Sequence, residues 1–293
     1  MRTGVVFPQI ELGGDPGAAR DFAQAAEDLG YDHLLMYDHV LGAEHAGREP
    51  ELWGPYTEKD PFHEPFIALA YLAGITTKLE LVTGVIILPQ RQTALVAKQV
   101  ADLDLFSGER VRLGVGSGWN WVEFDALEMP QHYKRRGKRE EEQIDLLRKL
   151  WAHSVVTHHD TDHHIERAGI LPLPKRQIPI WLGGFSEPAW RRAARIGDGF
   201  IFAGRTTDAA AEVKEQMDGW RAEAGRADQP FGYESILSYQ KTPDEQAADV
   251  ERWRKAEGTH VSIVTMGCGF TTVDQHIDAI TKWRELATQP TTP

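Results

Sequence analysis

The sequence predicts an α/β protein, a (β/α)8 TIM barrel with insertions after strand 2 and before strand 5. Three observations lead there. Short β-branched runs alternate eight times with longer segments of helical period. No Gly/Ser-rich linker or low-complexity tract divides the 293 residues, so 1–293 reads as one domain. Several of the strand runs end in glycine or polar residues, as in barrels whose site lies at the C-terminal ends of the strands.

The elements follow in order. TGVVFPQ (3–9) reads as the first strand. Asp15-Pro16 opens a helix, with Asp as N-cap and Pro in the first turn. Ala18, Phe22, Ala25, Ala26 and Leu29 share its inner face, and Gly30 ends it. HLLMYDH (33–39) is the second strand, followed by a long connection over 40–62 and a helix near 63–76. LELVTGVIILP (79–89) is the third strand, a near-continuous apolar run that suits burial on both faces. A helix over 92–106 stops at Ser107-Gly108, and VRLGVGSG (111–118) is the fourth strand.

A charged helix near 134–151 turns Ile144, Leu147 and Trp151 inward and pairs Asp145 with Lys149. IPIWLGG (178–184), GFIFAG (199–204), YESILSY (233–239) and HVSIVTM (260–266) are strands five to eight. The helices between them run from about Glu187 to Ile196 and over 207–224. Thr242-Pro243-Asp244-Glu245 is a capping box, and Thr272-Val273-Asp274-Gln275 caps the last helix. Residues 288–293 read as a frayed tail.

Composition narrows the function. Lys and Arg number 32 against 44 Asp and Glu, a net charge of −12, which argues against a dedicated nucleic-acid binder. A single cysteine, Cys268, excludes an intramolecular disulfide and cysteine-cluster metal sites. No run of about 20 apolar residues spans a membrane, and no signal segment is visible, so a cytoplasmic protein is expected.

Two connections are long for a compact domain, which points to lids or insertions. Residues 40–62, with Trp53, Tyr56 and Phe62, leave the C-terminal end of a strand and read as a lid over the mouth. Residues 152–177 read as a surface hairpin turning at Asp160-Thr161-Asp162. Its His158, His159, His163 and His164 are expected to be solvated, and no metal site is expected.

The strand ends carry the candidate chemistry. Gly183-Gly184-Phe185-Ser186 leads straight into a helix, so free backbone N–H groups and a helix N-terminus face one point. With Ala203-Gly204-Arg205 on the next strand, this reads as an anion site, although tight turns would look the same. Asp38-His39 ends strand two and is open to two readings, a hydrogen-bond pair or a catalytic one.

Together these residues carry a resemblance. Tyr37-Asp38-His39-Val40, Thr83-Gly84-Val85 with Leu88-Pro89 and Arg91, Leu113-Gly114-Val115-Gly116-Ser117-Gly118-Trp119 and Ile178-Pro179-Ile180-Trp181-Leu182-Gly183-Gly184 occur in order. Arg136-Gly137 with Arg139 and Glu142, and Gly197-Asp198-Gly199-Phe200, extend the set. The chain resembles the bacterial luciferase-like monooxygenase superfamily, and within it the actinobacterial branch that uses the deazaflavin coenzyme F420.

The resemblance implies a coenzyme ring at the barrel mouth. Asp38 and His39 would lie beside it. Thr83, Gly84 and Val85 would form a bulge behind it, often with a non-prolyl cis peptide. Gly116, Ser117 and Trp119 would line another wall. Gly183, Gly184, Phe185, Ser186, Gly204 and Arg205 would bind the coenzyme phosphate. The family's glucose-6-phosphate dehydrogenases carry a proton-donating Glu where Trp119 stands here, so a sugar-phosphate substrate is not expected. The coenzyme is anionic, which requires basic groups near the mouth of an acidic protein. Arg91, Lys134, Arg135, Arg136, Lys138, Arg139 and Arg205 are the candidates, and a bound anion would relieve the cations crowded at a helix N-terminus.

His39 is the candidate general acid/base, because hydride transfer also moves a proton and histidine titrates nearest neutrality. Asp38 is a coenzyme contact or a support behind it. Coenzyme F420 is expected as cofactor, with FMN as the alternative. The reaction expected is hydride exchange with a small organic substrate. The competing readings are a two-component FMN-dependent monooxygenase, which needs a flavin reductase as partner, and a non-catalytic flavin-binding barrel. A homodimer is expected from the family, with no nucleic-acid or membrane partner.

Overall fold

The computed structural model describes residues 1–12 and 14–288. The expected tail therefore lies, beyond Thr288, outside the described residues. Nine strand segments form one parallel sheet: β1 (Arg2–Val6), β2 (His33–Met36), β3 (Glu80–Thr83), β4 (Ile86–Ile87), β5 (Val111–Gly116), β8 (Ile180–Gly183), β9 (Gly199–Phe202), β10 (Gly232–Ser238) and β11 (His260–Val264). The remaining strands, β6 (Val156–His159) and β7 (His164–Ala168), form the antiparallel hairpin of the insertion. In the sheet β1 lies between β2 and β11, and β3 pairs with β5, so the ring closes as an eight-stave TIM barrel.

The third stave shows the bulge and the cis peptide that the resemblance implied at Thr83-Gly84-Val85, and corrects only the unbroken strand read over 79–89. The apolar run 79–89 is broken into β3 and β4 at a cis Gly84–Val85 peptide. Leu81 pairs with Val111 but Ile86 with Val115, so five residues oppose four and one is extruded as a bulge. The Thr83 hydroxyl closes the break, donating to the Gly114 carbonyl at 2.7 Å and accepting its N–H at 2.8 Å.

The helices are α1 (Pro16–Asp28), α2 (Pro65–Ala73), α3 (Thr93–Ser107), α4 (Trp121–Ala126), α5 (Arg136–Ala152), α6 (Glu187–Ile196), α7 (Thr207–Glu223), α8 (Pro243–Lys255) and α9 (Val273–Thr288). Local chemistry sets several ends. Asp15 accepts the Gly17 N–H, Thr242 and Glu245 form the capping box, and Gly108 ends α3 at φ 73°. The segment 119–133, unassigned from sequence, holds α4 and part of a 3-10 turn, Pro130–Arg135, which moves the next helix start to Arg136. Among the described residues no helix is long and apolar enough to cross a membrane.

Two clusters make the core. The larger lies between the sheet and the helices. The smaller fills the barrel with Val6, Leu35, Val82, Trp181, Ile201, Ile236 and Met266. Below it the barrel holds ions. The Glu234 carboxylate accepts from His33 at 2.7 Å, from Ser262 at 2.5 Å and from Arg112 at 2.6 Å. A Cβ on Gly4 would lie 2.2 Å from His33 Nε2, so only glycine there admits the ring. Burial opposes ionisation of Glu234, but His33 and Arg112 outweigh it and hold the carboxyl well below its ordinary range.

Candidate active site

The mouth is formed by the C-terminal ends of β2, β4, β5, β8 and β9. After β2 the backbone turns Asp38 inward and His39 into an aromatic box. Ring centroids of Phe62, Tyr56 and Trp119 lie 4.9, 5.4 and 5.7 Å from that of His39. Tyr56 and Phe62 come from the 40–62 connection, which therefore covers the end of strand two. Its Trp53, in contrast, stays 74% exposed. The connection is pinned to the Trp119 face, where a Cβ on Gly54 would sit 2.2 Å from the indole.

A residue that sequence reasoning missed completes this side. Glu123, on α4 and buried, sets one carboxylate oxygen 3.5 Å from His39 Nδ1. Its other oxygen accepts the Val40 N–H at 2.6 Å and the Leu41 N–H at 3.2 Å. Burial opposes its ionisation, but His39 and these N–H groups outweigh it, so the carboxyl lies below its ordinary range. A signal existed. Asn120-x-x-Glu123 has capping-box spacing, and Asn120 does accept the Glu123 N–H at 3.3 Å. The Glu side chain, however, serves another segment.

Asp38 is buried, and both its oxygens are occupied. One accepts the Ile87 N–H at 2.9 Å, the other Arg91 at 2.8 Å, while Arg91 also donates to Glu64 at 2.7 Å. Burial pushes the Asp38 carboxyl up, against Arg91 and the Ile87 N–H. Thr83 is likewise turned into the wall by its bonds to Gly114. Gly84 donates its N–H to the Met36 carbonyl at 2.7 Å.

The bulge brings three candidate residues together. A Cβ on Gly116 would lie 2.7 Å from a Val85 methyl, and one on Gly183 would lie 3.0 Å from the other. The two glycines thus leave room for Val85 to stand in the mouth. Ser117 is half-buried beside them.

At the far side, β8 runs through Gly183-Gly184-Phe185-Ser186 into α6. Among the described residues, the N–H groups of Gly184, Phe185 and Ser186 donate to no protein acceptor, and the Ser186 hydroxyl makes no cap bond. Gly184 has φ +157°, and a Cβ there would meet Ala189 at 2.8 Å. Arg205 stacks over Trp190 at 4.7 Å and donates to the Phe185 carbonyl at 3.1 Å. Among the described residues it pairs with no carboxylate. Gly204 lies beside the Phe185 ring, which is 66% exposed.

The other expected basic groups, apart from the exposed Lys134, require correction. Arg91 is held by Asp38 and Glu64. Arg135 pairs with Asp162 and Glu142, and Arg139 with Asp162 at 2.9 Å. Arg136 donates to the Gly118 and Tyr133 carbonyls, and Lys138 lies 3.8 Å from Glu141. The anion that relieves the start of α5 is thus the protein's own Asp162, delivered by the hairpin tip. Arg139 in turn donates to the Pro89 carbonyl at 3.1 Å, fixing the turn that carries Arg91. The hairpin is also less solvated than expected, because His158 and His163 face inward.

A family model described as luciferase-like monooxygenase matches residues 1–284. An uncharacterised protein of Mycobacterium tuberculosis (strain ATCC 25618 / H37Rv) is 34% identical over 218 residues, 71% of this chain and 73% of that one. An F420-dependent glucose-6-phosphate dehydrogenase of Amycolatopsis mediterranei is 30% identical over 62% of this chain and 51% of its own length. An FMNH(2)-dependent dimethylsulfone monooxygenase of Pseudomonas fluorescens is 29% identical over 75% of this chain and 57% of its own. A solved F420-dependent secondary alcohol dehydrogenase, 15% identical, shares the fold with a TM-score of 0.76 over 98% of this chain and 99% of that one.

Proposed function

The chain belongs to the luciferase-like monooxygenase family, and from that premise we propose that it is a single-domain, coenzyme F420-dependent oxidoreductase acting on a small organic substrate. When bound, the deazaflavin supplies two-electron hydride chemistry without activating oxygen. The protein must then move the proton, and the observation that carries the reading is the His39–Glu123 pair within the mouth. With Nδ1–H held towards Glu123, Nε2 is the nitrogen left to give or take a proton. Tyr56, Phe62 and Trp119 close round the ring and leave 10% of the His39 side chain exposed.

The far side fits the coenzyme's phosphate. Unpartnered N–H groups at Gly184, Phe185 and Ser186, the α6 N-terminus and an Arg205 without a carboxylate are the donors an anion needs. Val85, Gly116 and Ser117 would form the wall beside the ring, with Asp38, Thr83 and Gly84 holding that wall in place. Glu123 is engaged by Val40 and Leu41, so it orients His39 and is no free proton donor. A sugar phosphate therefore remains an unexpected substrate. A cytoplasmic homodimer fits this reading.

The FMN-dependent reading rests on the dimethylsulfone monooxygenase relative, and would require a separate flavin reductase. Paired titrations of the purified protein with F420 and FMN, read by their distinct absorption bands, decide between them. Preferred binding of F420, followed by hydride exchange in single turnover, is the expected outcome. Tight binding of FMN alone would replace this reading with the monooxygenase one, and binding of either without turnover would leave a binding barrel.

A further inference from the structure

The hairpin lies outside the site just described, yet four of the chain's 12 histidines fall within residues 158–164. Two of them, His158 and His163, keep only 11% and 10% of their side chains exposed, with Asp160 between them at 17%. We propose that His158, Asp160 and His163 bind one divalent transition-metal ion of the zinc, nickel or copper class.

The geometry comes first. Asp160 Oδ2 lies 2.9 Å from His158 Nε2 and 2.9 Å from His163 Nδ1, and the three ligand atoms all lie within 4.8 Å of one another. Bonds of about 2.0–2.2 Å from one ion to imidazole nitrogen and carboxylate oxygen place neighbouring ligand atoms about 3 Å apart. The side chains already stand at that spacing. Two imidazoles and one carboxylate suit zinc, nickel or copper, whereas calcium and magnesium take oxygen donors.

The surroundings hold the ligands in register. The remaining oxygen of Asp160 accepts the N–H groups of Asp162 and His163 at 2.9 and 2.8 Å, which fixes the turn. His163 Nε2 lies 2.6 Å from the Thr93 hydroxyl, to which Gln143 also donates at 3.0 Å. When the ion replaces the bond between His163 Nδ1–H and Asp160, the His163 proton shifts to Nε2 and donates to Thr93, the arrangement found behind metal-bound imidazoles. His158 Nδ1 lies 3.3 Å from Lys149, which is bonded to Asp145 at 2.5 Å. When the ion takes Nε2, the single proton of the neutral His158 imidazole shifts to Nδ1, and Lys149 turns wholly to Asp145, so this ligand releases no proton.

The outer face of the same hairpin provides a control. His159 and His164 pair across the strands with 2.8 Å between their Nδ1 atoms, and both are exposed. The test uses the full chain purified without a histidine tag, stripped of metal and titrated with Co2+, read by its visible bands and then by displacement with Zn2+. One ion per chain is expected. His158→Ala and His163→Ala should each weaken binding at least about tenfold, and a His159→Ala/His164→Ala chain should bind as the parent does. Asp160→Asn keeps the turn's acceptor but loses the charge, so it should weaken binding in a folded protein even if the histidine variants fold poorly. Zn2+ should raise the unfolding temperature of the parent and of the outer-face variant, but not of Asp160→Asn. Absence of saturable binding up to millimolar Co2+, binding that survives His158→Ala, His163→Ala and Asp160→Asn, or binding lost in the outer-face variant would each overturn the assignment.

Discussion

Two histidine–carboxylate pairs stand at opposite ends of one barrel, both on or just past the second stave. His33 and Glu234 meet at 2.7 Å near the start of the strand, with both side chains fully buried. His39 and Glu123 face each other at 3.5 Å beyond its end, where the His39 side chain keeps 10% of its surface. The chemistry of the two pairs is the same and their surroundings differ. Arg112 adds a second partner to Glu234, and Trp181 stacks 4.1 Å from that guanidinium, so the lower pair is sealed by protein on every side. The upper pair is boxed by aromatics that come partly from a connecting segment. Access, more than proximity, separates the buried pair that fixes the fold from the pair proposed to exchange a proton with a substrate.

This contrast can be broken by mutation. His39→Ala should slow the hydride-transfer step by about 10²–10⁴-fold with little change in coenzyme binding. Stopped-flow single turnovers measure it, and near-normal rates would return His39 to a packing role. Glu234→Ala should do the reverse. It takes from Arg112 its hydrogen-bonded carboxylate in a closed interior, leaving only Glu80 at 3.3 Å, and should cost about 3 kcal/mol of stability in urea unfolding, while the folded fraction keeps its activity.

Glu123→Gln sharpens the comparison from the upper side. It should lower turnover by about 10–100-fold, the effect of removing the partner behind a functional imidazole. Its pH signature is distinct as well. His39 and the Val40 and Leu41 N–H groups hold the Glu123 carboxyl below its ordinary range in the folded state. Its stabilisation is therefore complete above that range and is lost as pH falls through the lower, folded value. A Gln variant should flatten this acid limb in unfolding curves recorded below pH 5, and an unchanged limb would remove Glu123 from the account.

The smallest effect is expected at the far side of the mouth, where donors are open. Gly184→Leu would place a side chain against Ala189 and in the path of a phosphate. Coenzyme affinity should fall at least about tenfold, or about 1.4 kcal/mol, with the His39 step intact once coenzyme saturates. Equal affinity in a folded variant would move the anion site elsewhere.

Much of the barrel was legible because its signals are local. Asp15-Pro16, Thr242 to Glu245 and Ser107-Gly108 set helix ends through hydrogen bonds within a few residues. The mouth residues could be collected because strand ends in this architecture converge. The interruption of the third stave was legible only through the family resemblance. Gly84-Val85 marked the position, but an apolar run gives no sign of how many residues will face its neighbour.

The sequence by itself determined the eight alternations, the helix caps and the small residues that let Val85 and His33 occupy the barrel. Periodicity and capping act over one or two turns of chain. Only the tertiary structure decided which charges neutralise which. Glu123 meets His39 across 84 positions, Glu234 meets His33 across 201, and Asp162 reaches Arg135 and Arg139 from a hairpin tip. A charge in a sequence carries a sign but no address. Its partner is chosen when folding removes water and leaves a buried ion no alternative to the opposite charge that topology has brought within reach.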